Sequence, residues 1–173
     1  LADASNEDRY TCNGTVDADI SPNDTLQDMV GSMAGHLSDS GGLWTIRAGA
    51  YRTPTLTFTD SEVVGSLQIM ARQSRQDSYN GVRGTYIAAI NQYAEADFPV
   101  VKNDTYKAND GGIRLWKDIA LNFTDSAAMA QRLAKIDLEV GRQQLTVVGD
   151  FNLKAMQCQV GDVIYLTRDR MGW

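Results

Sequence analysis

The spacing of apolar residues changes abruptly within the first third of the chain, and this change constrains the fold more than any other feature. Leu26, Met29, Val30, Met33 and Leu37 recur every three or four residues, as on one face of a helix. Beyond Gly41-Gly42, Trp44, Ile46, Ala48 and Ala50 alternate with Thr45, Arg47 and Gly49, the period-two pattern of a half-buried strand. Ser21 suits an N-cap, Pro22 the first helical position and Asp24 the positive end of the dipole, so a helix is predicted from residue 22 to about 37, with Gly41-Gly42 ending it. His36 near its end would meet the negative pole.

Runs rich in β-branched and aromatic residues at 55–59, 67–72 and 82–87 follow, separated by turn signals such as Asp77-Ser78-Tyr79-Asn80-Gly81. They read as an antiparallel meander. Residues 91–112 carry turn signals and little periodicity, and read as a long surface loop. A second helix is predicted from a cap at Thr124 or Asp125, burying Met129, Leu133, Ile136 and Val140 and exposing Arg132, Lys135 and Glu139. Two strands close the chain, within 145–153 and 158–167, with Gly161-Asp162 at the turn into the last. Helices and antiparallel strands in separate runs predict an α+β fold, β-rich with two amphipathic helices. Residues 1–20 read as a lead-in and 21–173 as one domain, with lobes dividing at about 21–90 and 91–173.

Composition removes several function classes. The chain has 173 residues, 43% hydrophobic and 22% charged, which suits a folded core. A net charge of −6 argues against a nucleic-acid coat and predicts no specific nucleic-acid binding. His36 is the sole histidine, and Cys12 and Cys158 lie too far apart for a CxxC pair, so no zinc or other metal pattern and no cofactor are expected. No apolar run approaches the roughly 18 residues of a membrane span. The stretch from Asp17 to Asp28 has alternating oxygen ligands, but Pro22 and Asp28 stand where a calcium loop needs Gly and Glu. With Leu at its start and Trp173 at its end, the chain reads as an internal piece of a longer one.

No nucleophile elbow or phosphate loop is present. Gly81-Val82-Arg83-Gly84 has RNA-gripping GXXG spacing but reads as entry into a strand. Arg72, Arg75 and Arg83 read as a solvated strand edge or half of an intersubunit ion-pair set. Glu62, Glu95 and Glu139 are the mid-chain glutamates available to a cell-wall hydrolase, without a pocket signature around them. Trp44 and Tyr51 could stack on sugars in a carbohydrate-binding module, although core burial is the expected fate of Trp44. No catalytic set is expected.

Five segments in order, RYTCNGTVDADISPNDTLQDM, GGLWTIRAGAY, SRQDSYNGVRGTY with a following DFP, GGIRLWKDIALNFTDSAAMAQRLAKI and LKAMQCQVGDVIYLT, carry a resemblance across nearly the whole chain. Together they resemble the hub portion of the lambda-type tail tip attachment proteins, the protein J or central tail tip family of siphophages and prophages. The resemblance implies a β-rich virion protein at the tail tip, made in the host cytoplasm and usually homotrimeric. It closes the tail tube, builds the baseplate hub and meets distal tail, tape measure and other tail tip proteins. Such proteins act by assembly and channel opening, and receptor contacts belong to domains not represented here. Val160–Ile164 would be a barrel-closing hairpin. Phe98, Trp116 and Trp173 are the expected interface anchors, since aromatic side chains dominate interface energetics.

Overall fold

A computed structural model describes residues 8–16, 19–71, 74, 77–169 and 172. It is α+β, and the chain divides into two compact units, each made of two stretches. Unit 1 takes Leu1–His36 and Ser74–Gln143; unit 2 takes Leu37–Gln73 and Gln144–Trp173. The lobes therefore do not part near residue 90. Strands on either side of that point pair with each other, which keeps both in unit 1.

Unit 1 is a sheet covered on one face by a helix. Its central strand β5 (Gly81–Ala88) pairs in parallel with β8 (Trp116–Leu121) along one edge. Along the other edge lie β6 (Ala94–Asp97) and β7 (Val101–Lys102), both antiparallel to β5. A parallel pair requires a long crossover. The segment 91–112 supplies it, and holds β6, β7 and a short helix α2 (Asp104–Asn109) in place of the loop read from the sequence. Asn103 nucleates α2, its side chain accepting hydrogen bonds from the N–H groups of Thr105 and Tyr106.

Helix α3 (Ala127–Gly141) covers the sheet, with Ser126 rather than Thr124 or Asp125 as its N-cap. Its buried face is Met129, Ala130, Leu133, Ala134 and Leu138, while Val140 is exposed. The small Ala130 and Ala134 let the helix approach β5, and apolar periodicity counted only the larger side chains. Leu138, Val82 and Phe98 join the alanines in the core, each large side chain contributing about 1.5–3 kcal/mol by burial. The described part of the lead-in packs here as well. The Asn13 N–H donates to the Phe123 carbonyl (3.0 Å), and Arg132 donates to the carbonyl of Arg9 (2.6 Å).

Helix α1 (Pro22–Gly31) is shorter than its periodicity suggests. The N–H of Gly35 reaches back to Val30 and that of Ala34 to Gly31, a Schellman closure with Ala34 left-handed at φ 48°. Met33 and Leu37 thus fall beyond the helix, and His36 opens strand β1 instead of capping a helix. Gly41 and Gly42, both at positive φ, form the two-residue turn between β1 (His36–Ser40) and β2 (Leu43–Arg47).

Among its described residues unit 2 contains three two-stranded sheets and no meander. β1 pairs with β2; β3 (Leu56–Phe58) pairs in parallel with β10 (Ile164–Leu166); β4 (Val63–Met70) pairs antiparallel with β9 (Thr146–Phe151). The runs at 55–59, 67–72 and 82–87 hold strands β3, β4 and β5, but these do not pair with one another: β3 and β4 find partners far away in sequence, and β5 pairs with β6, β7 and β8 in unit 1. Val160–Ile164 is accordingly no hairpin joining neighbouring strands. Its turn is gripped by Arg47, paired with Asp162 (2.9 Å), and by Arg52, which donates to the Gly161 carbonyl (2.8 Å).

Candidate assembly interface

In unit 1 the side chains of β5 and β8 alternate between the α3 face and an uncovered face. Val82, Tyr86, Ile119 and Leu121 go to the core, which leaves Gly81, Arg83, Thr85, Trp116, Asp118 and Ala120 on the other side. Trp116 stands opposite Gly81 and lies over it, since a Cβ there would sit 2.7 Å from the ring. The guanidinium groups of Arg83 and Arg114 lie 5.8 and 5.9 Å from the indole centroid, and Trp116 stays 38% exposed. Arg114 is fixed by the carbonyls of Asn80 (2.9 Å) and Asn103 (3.0 Å) and by the Asp104 carboxylate.

Arg83 forks onto both oxygens of Asp118 at 2.6 and 3.3 Å. That hydrogen bond holds the Asp118 carboxyl below its usual range. Beside the pair is a shallow hollow of about 630 Å³ lined by Arg83, Gly84, Thr85, Asp97, Val100 and Ala120. Arg83 thus has a partner within its own chain, while Arg72 and Arg75 lie outside the described residues. A neutralised ion pair beside an exposed indole suits a protein contact better than a polyanion.

Behind this face, Asn80 is fully buried and ties the loops together. Its amide donates to Asp110 (2.8 Å) and to the Ile113 carbonyl (2.9 Å), and its oxygen accepts from the Leu115 N–H (3.1 Å). Asp110 meets Arg142 at 3.0 Å, with both side chains largely shielded from solvent. On α3, Asp137 accepts from Lys117 (2.8 Å) and from the Tyr79 hydroxyl (3.1 Å). Burial opposes the charge on Lys117, but the Asp137 bond and charge outweigh it and raise its pKa; burial, then Asp137, raises that of Tyr79. Sequence reasoning read residues 77–81 only as a turn.

Among the expected anchors, Trp116 is at this surface, whereas Phe98 is 2% exposed and belongs to the core of unit 1. An alternating Phe-Pro pair between strands looks the same in sequence whether it faces in or out. Trp173 lies outside the described residues, as does Asp17 of the calcium-like stretch. Gly81 and Gly84 are part of β5, with Gly84 pressed onto the Ile119 carbonyl. Glu62 belongs to unit 2, and Glu95 and Glu139 to β6 and α3 of unit 1. Each is placed singly. Glu62 bonds Thr59 and Lys154, and Glu139 accepts from the Tyr106 hydroxyl (2.6 Å). Among the described residues no three His, Cys, Asp or Glu side chains gather as metal ligands, no helix is long and apolar enough to cross a membrane, and Cys12 and Cys158 are free thiols.

Unit 2 has a different kind of surface. Phe58 is its one buried side chain among the described residues, in edge contact with Phe151 at 5.2 Å. Burial alternates along β9, and along β4 from Leu67 onward after an exposed stretch at 64–66 where the register shifts, with Val63, Leu67, Ile69, Val147 and Phe151 inward and Val64, Met70 and Val148 outward. Leu43, Trp44, Ile46, Tyr51, Leu153, Met156 and Tyr165 are also exposed. Trp44 is therefore not a core residue. Two-stranded sheets are marginal alone, and a three-residue parallel pair with an open face more so. Unpaired strand edges and apolar side chains together are what an incomplete surface presents before a partner covers it.

The chain is similar to known tail proteins. A family model described as "Putative phage tail protein" matches residues 21–173. Among solved structures, it is similar to the crystal structure of the 43 kDa tail protein of prophage MuSo2 from Shewanella oneidensis, with a TM-score of 0.48 and 13% identity over 91% of this chain and 46% of that one. It thus spans about half the length of that protein. A search of curated proteins finds no match. With the family model covering all but the lead-in, the chain belongs to a family of phage tail proteins.

Proposed function

We propose that this chain is part of the hub at the tip of a phage tail, a structural element that works by assembly and not by turnover. In this reading it self-associates, as a homotrimer, and contacts distal tail, tape measure and tail tip proteins. It closes the tube and supports host attachment and DNA passage. The observation that carries the reading is unit 2: three two-stranded sheets, one buried side chain among the described residues, and exposed Leu, Ile, Trp and Tyr side chains on several strands. A partner that extends these sheets satisfies the edge groups and buries the apolar surface in one step. On unit 1, Trp116 is the proposed anchor, with Trp173 a second anchor carried from the sequence.

Two measurements test it. Light scattering of the purified chain should give a mass near three times 19.0 kDa. Phage carrying Trp116→Ala should yield fewer complete tails on a sucrose gradient. A strictly monomeric chain together with normal tail yield from Trp116→Ala overturns the reading. A carbohydrate-binding role is the second reading, favoured by the exposure of Trp44 and Tyr51 at 56% and 85%. Retention on an immobilised host polysaccharide, lost in Trp44→Ala, would select it.

A further inference from the structure

Unit 1 has a second hollow, of about 700 Å³, between the lead-in, α1 and the segment after β8. Its lining combines two kinds of group. Val16, Ile20, Ile87, Phe123 and Tyr93 give it apolar walls, and Val16, Ile20 and Tyr93 are more than half exposed. Asp28 and Asp125 give it two carboxylates, and among the described residues no Arg, Lys or His lines it.

The carboxylates are held in place by amides and not by cations. Asn122 donates to Oδ2 of Asp28 at 3.1 Å, and Asn13 donates to Oδ2 of Asp125 at 2.7 Å. Elsewhere in unit 1 Asp104, Asp110, Asp118 and Asp137 each face an Arg or Lys. Here two negative charges share a concave site in which field lines concentrate. Tyr93 stands at the rim on a backbone where it and Gln92 are both left-handed, at φ 61° and 57°. An aromatic face, apolar walls and carboxylates match one amphipathic group, an aliphatic stem that ends in a cation.

We propose that this hollow receives a Lys or Arg side chain carried on an extended segment of a neighbouring tail subunit. The inference rests on the assembly role proposed above and adds the chemistry of one partner. Charge selects the occupant: a phosphate or acidic peptide would meet uncompensated carboxylates. The hollow exceeds one side chain, so residues flanking the cation would lie along Val16 and Ile20.

The probe is the capped tripeptide acetyl-Ala-Arg-Ala-amide, titrated into the isotopically labelled 173-residue chain and followed by amide NMR shifts. Saturable shifts at Gly14, Asn122 and Asp125 are expected, weakened about tenfold by the Asp28→Asn, Asp125→Asn double variant and weakened again by raising salt. Circular dichroism checks that the variant keeps its fold, and the salt arm needs no variant. No saturable shift overturns the proposal, as does equal binding of the same tripeptide with citrulline in place of Arg. Saturation by maltose with none by the Arg peptide would assign the hollow to saccharide instead. Each of these negative results leaves the mass and tail-yield tests of the assembly role standing, so the two failures are distinguishable.

Discussion

Replacing Asn80 by Ala should destabilise unit 1 by about 3–5 kcal/mol, through polar satisfaction and not through lost packing. Asn80 is fully buried, and its side chain makes bonds at 2.8, 2.9 and 3.1 Å to Asp110, the Ile113 carbonyl and the Leu115 N–H, with a longer one from Arg114 at 3.3 Å. Arg114 keeps the Asn80 and Asn103 carbonyls and Asp104, so its loss is small. The Ile113 carbonyl and Leu115 N–H would be left unpaired, at roughly 1–2 kcal/mol each, and Asp110 would lose a charge-assisted bond of similar worth. A water entering the space would recover part of this. The assay is urea unfolding, read by the fluorescence of Trp116 in a Trp44→Phe, Trp173→Phe background, which leaves Trp116 of unit 1 as the sole indole. Ser78→Ala, which removes one of several Arg142 contacts, is the control and should cost less than about 1 kcal/mol. A loss below about 1 kcal/mol for Asn80→Ala would refute the claim that this amide ties the loops of unit 1 together.

Three other outcomes are expected at sites away from Asn80. The Glu62 carboxyl, held at about 2 from 4.5 chiefly by hydrogen bonds from the Thr59 side chain and N–H, stabilises unit 2 fully above its unfolded pKa; that stability should drain away as pH falls from about 4.5 towards 2, and Glu62→Gln should flatten the profile in acid titration by circular dichroism. Gly84→Ala would drive a Cβ into the Ile119 carbonyl and should cost at least about 3 kcal/mol, seen as a lower melting temperature or insoluble expression. Ala34→Gly relieves a left-handed alanine at a cost in unfolded-chain entropy, so melting should be unchanged or raised by up to about 1 kcal/mol of stability; clear destabilisation would contradict the helix closure described here.

Local elements were more legible in the sequence than the pairings between them. The α3 segment and β2 follow from apolar periodicity, β5 from its run of β-branched and aromatic residues, and β9 lies in the strand expected within 145–153. What periodicity cannot carry is the partner. β3 and β10 meet across 108 residues of chain (164 − 56) and β4 and β9 across 76 to 88 (146 − 70 and 151 − 63), and the crossover in 91–112 hides β6, β7 and α2 inside residues that individually signal turns. The end of α1 was missed because Ala34, not a glycine, takes the left-handed position.

The assembly surface was legible only in part. Trp116 is expected at an interface only because it is a large aromatic, in a segment with no strand expected, and it is exposed; Phe98 has the same credentials and is buried, since which side of the β6–β7 edge faces α3 depends on register. Asn80, Asp110 and Arg142 gave no signal at all, because a buried amide inside a turn-like run reads as a solvated turn. The open strands of unit 2 became visible only once their partners were known and their remaining edges could be counted as unpaired.

In the proposed role this chain is built into the tip of a phage tail and completes its surface there. Gold-labelled antibodies raised against the 173-residue chain, applied to purified tails and viewed by electron microscopy, test it most directly. Label at one end of each tail, opposite the head-joining end, is expected. Label along the tube, at the head-joining end, or on no particle would contradict it.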